Sequence, residues 1–375
     1  MPFAAAVSEH PVAADAVGEV LGTIAERGGV EPDLVVVFVG EAHREFVGEI
    51  TAAIHAVLRP SALVGSTAGG VVGRDREIED QPALSVWAAW IGPVSTVRLT
   101  VETVDAGTAV VGIPADVPHG ATLVLLADPQ SFPASSLVAE LAVVRPDLSV
   151  VGGLASGSGA PVLLRDRDRH RDGAVGVVVP AEHVAGSLVS QGSRPLGDPM
   201  TVTASDREYL LELAGQPALE RLTALTESLG PDERAMAARG VDLGTAIDEA
   251  RHQHRSGDFV VRSILGADRA RGVLALAEHV PVGSTACFHV RDAAAADADL
   301  RTRLRSVRGD GALLFTCNGR GQALFGVDDH DAAAVVDETG TDAVAGMFCV
   351  GEMGSTAGRS HVHAFSASVL VFADR

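Results

Sequence analysis

The chain has 375 residues, 47% of them hydrophobic, and a formal net charge of −20, which is apolar material for one large core or two ordinary ones. That charge repels polyphosphate backbones and anionic membranes, so nucleic acid is not an expected partner. Mean hydropathy is +0.24, yet no apolar run approaches the roughly 20 residues of a spanning helix, and membrane insertion is not expected either.

Taken in chain order, residues 34–39 (LVVVFV) have the length and composition of a buried strand, and Phe46, Ile50 and Ile54 repeat on one helical face until Pro60 ends the helix. Residues 62–65 predict a short strand running into a small-residue turn, Gly65-Ser66-Thr67-Ala68-Gly69-Gly70. Strand-like runs follow at 84–91, 97–101, 122–126, 149–152, 173–179 and 184–190, with a helix predicted over 133–144. The run 165–171 alternates arginine with aspartate, nearly cancels its own charge and predicts a solvated loop. Beyond 201–203 and 209–213, a helix from Gln216 carries Leu219, Leu222, Leu225 and Leu229 until Gly230-Pro231 stops it. The charged stretch 232–257, with His252 and His254 facing solvent, reads as a seam between two halves. The second half opens with strands at 259–264, 272–276 and 286–290. A helix over 293–305 and strands at 312–316, 343–349 and 362–372 complete it. Strands outnumber helices and adjoin through short turns, which predicts an α+β fold: a two-part mixed β-sheet architecture with flanking helices.

The three cysteines, Cys287, Cys317 and Cys349, are odd in number, widely spaced and free of any CxxC pair, so a disulfide framework is not expected. The N-terminal residues lack a basic flank followed by a long apolar stretch, and a cytoplasmic location is the expectation. All 29 basic residues are arginine, which excludes chemistry that needs a lysine amine, including pyridoxal phosphate anchoring and a P-loop. Asn318 is the sole asparagine, set in Cys317-Asn318-Gly319-Arg320, where its side chain or its tolerance of a left-handed backbone would count.

The motifs PDLVVVFVG, LVGSTAGG, VGGLASGSG, DGAVGVVVP, SQGSRPLGDPMTVT and GQPALERL occur in that order. ALLFTCNGRG, DHDAAAV and VAGMFCVGEMGSTAGRSHVHAFSASVLVF follow. Together they resemble the FIST domain, named for F-box and intracellular signal transduction proteins, over residues 30–372. The resemblance implies a FIST N-terminal part at 30–229 after an N-terminal extension at 1–29, and a FIST C-terminal part at 230–375. It also implies a sensory domain that binds small ligands such as amino acids and works with signalling protein partners; some members of the family bind haem and sense nitric oxide.

Arg320 lies in a glycine-flanked turn after a strand, where its planar fork suits the carboxylate of a metabolite or closes on an internal acid. Glu352 would receive a ligand ammonium or pair with Arg320. Cys317 reads either as a small buried hydrophobe or as a thiolate activated by Arg320. His363 is the base for such a thiol, or an axial ligand if haem is bound. Ser66 and Thr67 belong to a turn whose amides approach a ligand, and Arg194 is a second anion anchor or a brace between halves. The expectation is a small-ligand-binding sensor with no resident cofactor. A haem-based nitric oxide sensor is the alternative, and an enzyme built on Cys317 a further one.

Overall fold

The computed structural model describes residues 2–104, 107–251, 254 and 257–374. The chain forms two compact units. The first gathers Met1–Val189, Leu300–Val362 and Ser366–Arg375; the second is Ser190–Asp299 with His363–Phe365. The boundary expected at 229/230 falls inside the second unit, and strands from both ends of the chain share one sheet.

The first unit is helix, sheet, sheet, helix. A six-stranded sheet runs in the order Phe3–Ser8, Leu84–Ala89, Leu34–Gly40, Ala62–Ala68, Leu163–Arg165, Asp168–His170. The main path of the second sheet is Val184–Gln191, Ser366–Phe372, Gly311–Cys317, Val344–Thr356, Ser149–Ala155, Thr122–Ala127, Ala174–Val179, Ser95–Val104 and Gly107–Val111. Residues of both sheets, among them Phe38, Trp87, Val151, Phe315 and Phe372, form the core between them. Strands buried on two faces read as unbroken aliphatic runs, which is why 34–40 and 122–127 show no alternation. Helices Ala13–Gly28 and Val47–Val57 cover the outer face of the six-stranded sheet. Ala134–Val144 and His330–Thr339 cover that of the larger one.

In the second unit, Ser193–Asp206, Thr285–Arg291, Val241–Ala246, Phe259–Asp268, Val273–Leu276 and Tyr209–Leu213 pair in that order, and the last pairs back to the first. This closes an antiparallel barrel with no open edge among the six. Its interior holds Leu210, Leu213, Leu243, Leu274 and Phe288, and helix Ala218–Ser228 packs on it through Leu219, Leu222 and Leu225.

The α+β, mixed-sheet architecture is as expected, and four local expectations are corrected. Residues 1–29 are no extension: Phe3–Ser8 pairs with Leu84–Ala89 in the register Phe3↔Ala89, and the following helix buries Val17, Val20, Leu21 and Ile24. The supposed seam contains helix Pro231–Ala237 and barrel strand Val241–Ala246; His254 sits there half-buried with Nε2 3.2 Å from the Asp248 carbonyl, while His252 lies outside the described residues. Gly65, Ser66, Thr67 and Ala68 continue a strand instead of turning. The C-terminal run is split into Arg359–His363 and Ser366–Phe372 by Phe365, which takes φ 55°.

Gly346 shows how closely the central strands approach. A Cβ there would stand 1.7 Å from the Leu314 carbonyl oxygen, a backbone atom that cannot swing away. Gly346→Ala is expected to destabilise the protein by at least about 2 kcal/mol, read as a lower urea midpoint at unchanged slope; a midpoint equal to the parent's would contradict this packing.

Candidate ligand-binding site

A cavity of about 560 Å³ opens in the first unit where several chain segments end together, a size within the usual range for small-molecule sites. Gly69 and Gly70 enter it just past strand Ala62–Ala68, and Gly157 and Ser158 just past Ser149–Ala155. Asn318 enters past Gly311–Cys317, and Glu41 past Leu34–Gly40. Glu79 and Asp80 end the short strand Arg76–Glu79, and the ring of Phe348 adds an apolar wall. Strand ends with glycine turns offer backbone close to a ligand on a rigid support.

Three carboxylates, Glu41, Glu79 and Asp80, line this cavity, and no arginine does. Glu41 Oε1 accepts hydrogen bonds from Arg44 Nη1 at 3.0 Å and Ser158 Oγ at 2.9 Å, while its buried Oε2 has no hydrogen-bond partner among the described residues. Glu79 Oε1 accepts the amide of Gln322 at 2.9 Å, and burial raises the Glu79 carboxyl above its ordinary range. The exposed side chain of Asn318 stands on a backbone fixed by its own amide, which donates to the Cys349 carbonyl at 2.9 Å. Its uniqueness in the sequence, and the small-residue segment 65–70 that supplies Gly69 and Gly70, are the sequence signals that fall on the cavity.

Arg320 does not reach it. Its guanidinium is completely buried and grips Asp331 fork to fork, Nε to Oδ2 at 2.6 Å and Nη2 to Oδ1 at 2.8 Å. Thr316 Oγ1 donates to the same Oδ2 at 2.7 Å, and His330 Nδ1 lies 3.0 Å from Oδ1. Burial alone would raise the Asp331 carboxyl, but the Arg320 charge and these hydrogen bonds hold it well below the ordinary range. The carboxylate expected of a ligand is thus supplied by the protein. Glu77 lies beside the pair, its Oε1 accepting the Ala332 amide at 3.2 Å; burial and the Asp331 charge push its carboxyl well up.

Glu352 is also fully buried and faces inward. Its Oε2 accepts the amide and hydroxyl of Ser366 at 3.1 and 2.9 Å, and the Cys317 thiol also hydrogen-bonds the carboxyl. Burial outweighs these contacts and pushes the carboxyl up to about 8, so Glu352 carries a proton at neutral pH. Cys317 is 6% exposed and is a buried thiol next to a neutral acid.

The remaining expected residues stand elsewhere. Ser66 Oγ donates to the Thr67 carbonyl at 2.8 Å, and Thr67 Oγ1 accepts the Val162 amide at 2.9 Å, both within a buried strand. Arg194 braces the second unit internally, with Nε donating to Asp292 at 2.9 Å and Nη1 to Glu233 at 3.4 Å. His363 is 2% exposed and falls in the second unit. The cavity's acidic residues were missed because carboxylates in polar connections look like any solvated loop.

Residues 33–216 match the FIST N domain and residues 218–355 the FIST C domain. An uncharacterised protein of Mycobacterium tuberculosis strain H37Rv is 40% identical over 358 residues, spanning 93% of this chain and 93% of the relative. An uncharacterised protein of Mycobacterium bovis is 40% identical over 358 residues, spanning 93% and 92%. The chain belongs to the FIST family, whose domains are considered sensory, ligand-binding domains in signal transduction. The cavity lining carries three carboxylates and neither imidazole nor thiolate, so it offers no axial bond to a haem iron.

Two outcomes test the buried cluster. Arg320→Met strands the Asp331 charge and is expected to cost about 3–5 kcal/mol, with the double variant Arg320→Met/Asp331→Leu recovering much of it; a ligand anchor would instead lose affinity at unchanged stability. Between pH about 4.5 and about 8, native Glu352 keeps a proton that the unfolded chain has released. Stability therefore falls as pH rises, with a slope from this group of up to about 1.4 kcal/mol per pH unit. In urea titrations at pH 5 and pH 8, Glu352→Gln should gain stability relative to the parent at the higher pH; identical pH dependence would show that the folded carboxyl is ionised.

Proposed function

We propose that the protein is an intracellular sensor that binds a small amine-bearing metabolite, an amino acid being the favoured class, in the cavity of the first unit. The observation that carries this reading is the lining charge: Glu41, Glu79 and Asp80 surround the space, and the one arginine that pairs with them, Arg44 on Glu41, lies outside the lining. An ammonium group entering meets the carboxylates of the lining beside Phe348, surroundings that favour a cation. Asn318 and the backbone at the glycine turns then serve the polar remainder of the ligand, including the carboxylate of an amino acid.

We read the cavity as a binding site because its carboxylates and Asn318 can hold an ammonium group and a polar tail by charge and hydrogen bonds. The three cysteines are buried and form no disulfide among the described residues, in keeping with a reducing compartment and the proposed cytoplasmic location. Among the described residues no helix is long and apolar enough to cross a membrane. A signalling protein partner would read the occupied state, as the family's role in signal transduction suggests.

Isothermal titration against amino acids, polyamines and dicarboxylates that lack an amine tests the reading. Amine-bearing compounds should bind and dicarboxylates should not, and Glu41→Gln should weaken binding by about tenfold or more, equivalent to about 1.4 kcal/mol. Equal binding of amine-free acids, or an unchanged affinity in Glu41→Gln, would sink it.

A further inference from the structure

The alternating run 165–171 is not a loop whose charges cancel. Residues Leu163–Arg165 and Asp168–His170 form a hairpin in the register Leu164↔Arg169, and Asp168–His170 is the outer edge of the six-stranded sheet. Side chains on a strand point alternately to opposite faces, so the period-two sequence sorts acids from arginines. Leu164 packs among the residues under helix Val47–Val57, and its cross-strand neighbour Arg169 extends that face past the edge of the core. A Cβ on Gly48 would stand 2.5 Å from Arg169 Nη1, so the guanidinium lies directly over the helix backbone. The acids turn to their own partners: Asp166 accepts the Leu63 amide at 3.1 Å and Thr96 Oγ1 at 2.9 Å, and Asp172 pairs with Arg98.

Two cavities meet at Arg169. One of about 340 Å³ is lined by Arg44, Glu45, Arg169 and Arg171, and one of about 180 Å³ by Thr51, His55, Arg167 and Arg169. Arg44 already has Glu41 as a countercharge. Arg167, Arg169 and Arg171 are exposed, and no ion pair or hydrogen bond of theirs is present among the described residues. Three unmatched guanidinium groups side by side in a protein of net charge −20 repel one another while carboxylates abound elsewhere. A bound anion resolves that arrangement, and the planar forks match phosphate oxygens two at a time.

We propose that this groove is a second ligand site, for a small molecule carrying at least two linked phosphate groups, with Arg169 shared between them and Arg171 and Arg167 at either end. The volumes of about 340 and 180 Å³ suit a small molecule; a polynucleotide or an anionic bilayer would have to approach across the exposed Glu45 and Glu49 against the net charge of the chain.

The test is titration of the full chain with inorganic pyrophosphate, beside inorganic phosphate, at about 50 and 200 mM salt. Pyrophosphate should bind, phosphate should bind at least about tenfold more weakly, and affinity should fall with salt. Arg169→Gln and the double variant Arg167→Gln/Arg171→Gln should each weaken pyrophosphate binding by about tenfold or more; their circular dichroism should match the parent's, since all three side chains are exposed. The absence of pyrophosphate binding, or the same affinity in Arg169→Gln, would overturn the proposal. Tighter binding of a single-stranded oligonucleotide or of anionic vesicles than of pyrophosphate would also overturn it.

Discussion

The ion pair between Arg320 and Asp331 sets the terms for everything around it. Removing two charges from water costs several kcal/mol each, and a buried pair recovers this only when the geometry is close and the spare hydrogen-bonding capacity is used. Here two parallel N–H···O contacts are supplemented by Thr316 and His330, while the buried Arg320 Nη1 has no hydrogen-bond partner among the described residues. One positive charge balances one negative charge, and no further ionised acid can be accommodated. Glu77, next to the pair, is pushed toward the protonated state by burial and by Asp331, and burial does the same to Glu352. The surroundings of the pair are therefore close to neutral, and the acids of the cavity wall are Glu41, Glu79 and Asp80.

The same pair explains the placement of Asn318. Residues 317–322 leave a sheet strand, and Arg320 anchors their middle to helix His330–Thr339 while Glu79 holds the Gln322 amide. A short segment tied at both places presents Asn318 from a fixed backbone. The motif carrying Cys317 and Arg320 thus shapes the site from behind its wall without touching what enters.

The aliphatic strands were legible because continuous Val and Leu runs permit little else; 34–40 and 122–127 are examples. Strand Val241–Ala246 was hidden by Asp242 and Gly244, which break its apolar pattern although Leu243 is fully buried. The alanine-rich strand Phe3–Ser8 carries too little side-chain signal to be recognised without its partner Leu84–Ala89. Site residues were harder still. Arg320 and Glu352 were conspicuous by their motif, but only three-dimensional proximity reveals that Asp331 occupies the fork and that Ser366 caps the acid. The arginines at 167, 169 and 171 were visible and their separation from the aspartates was not, because alternation segregates charge only once the segment is a strand.

The discontinuity of the first unit bears on how the molecule is made. Strand Ser149–Ala155 waits for Val344–Thr356 as its neighbour on one side, and nearly two hundred residues must be added before that neighbour exists. At a synthesis rate of about 5–20 residues per second, the half-built sheet presents an unpaired aliphatic edge for about ten seconds or longer. The intervening segment, Ser190–Asp299, has its own barrel core and can close while the chain is still growing. The nascent protein thus passes through a stage in which its middle is finished and its flanks are not, and a chaperone that shields sheet edges would find its substrate there.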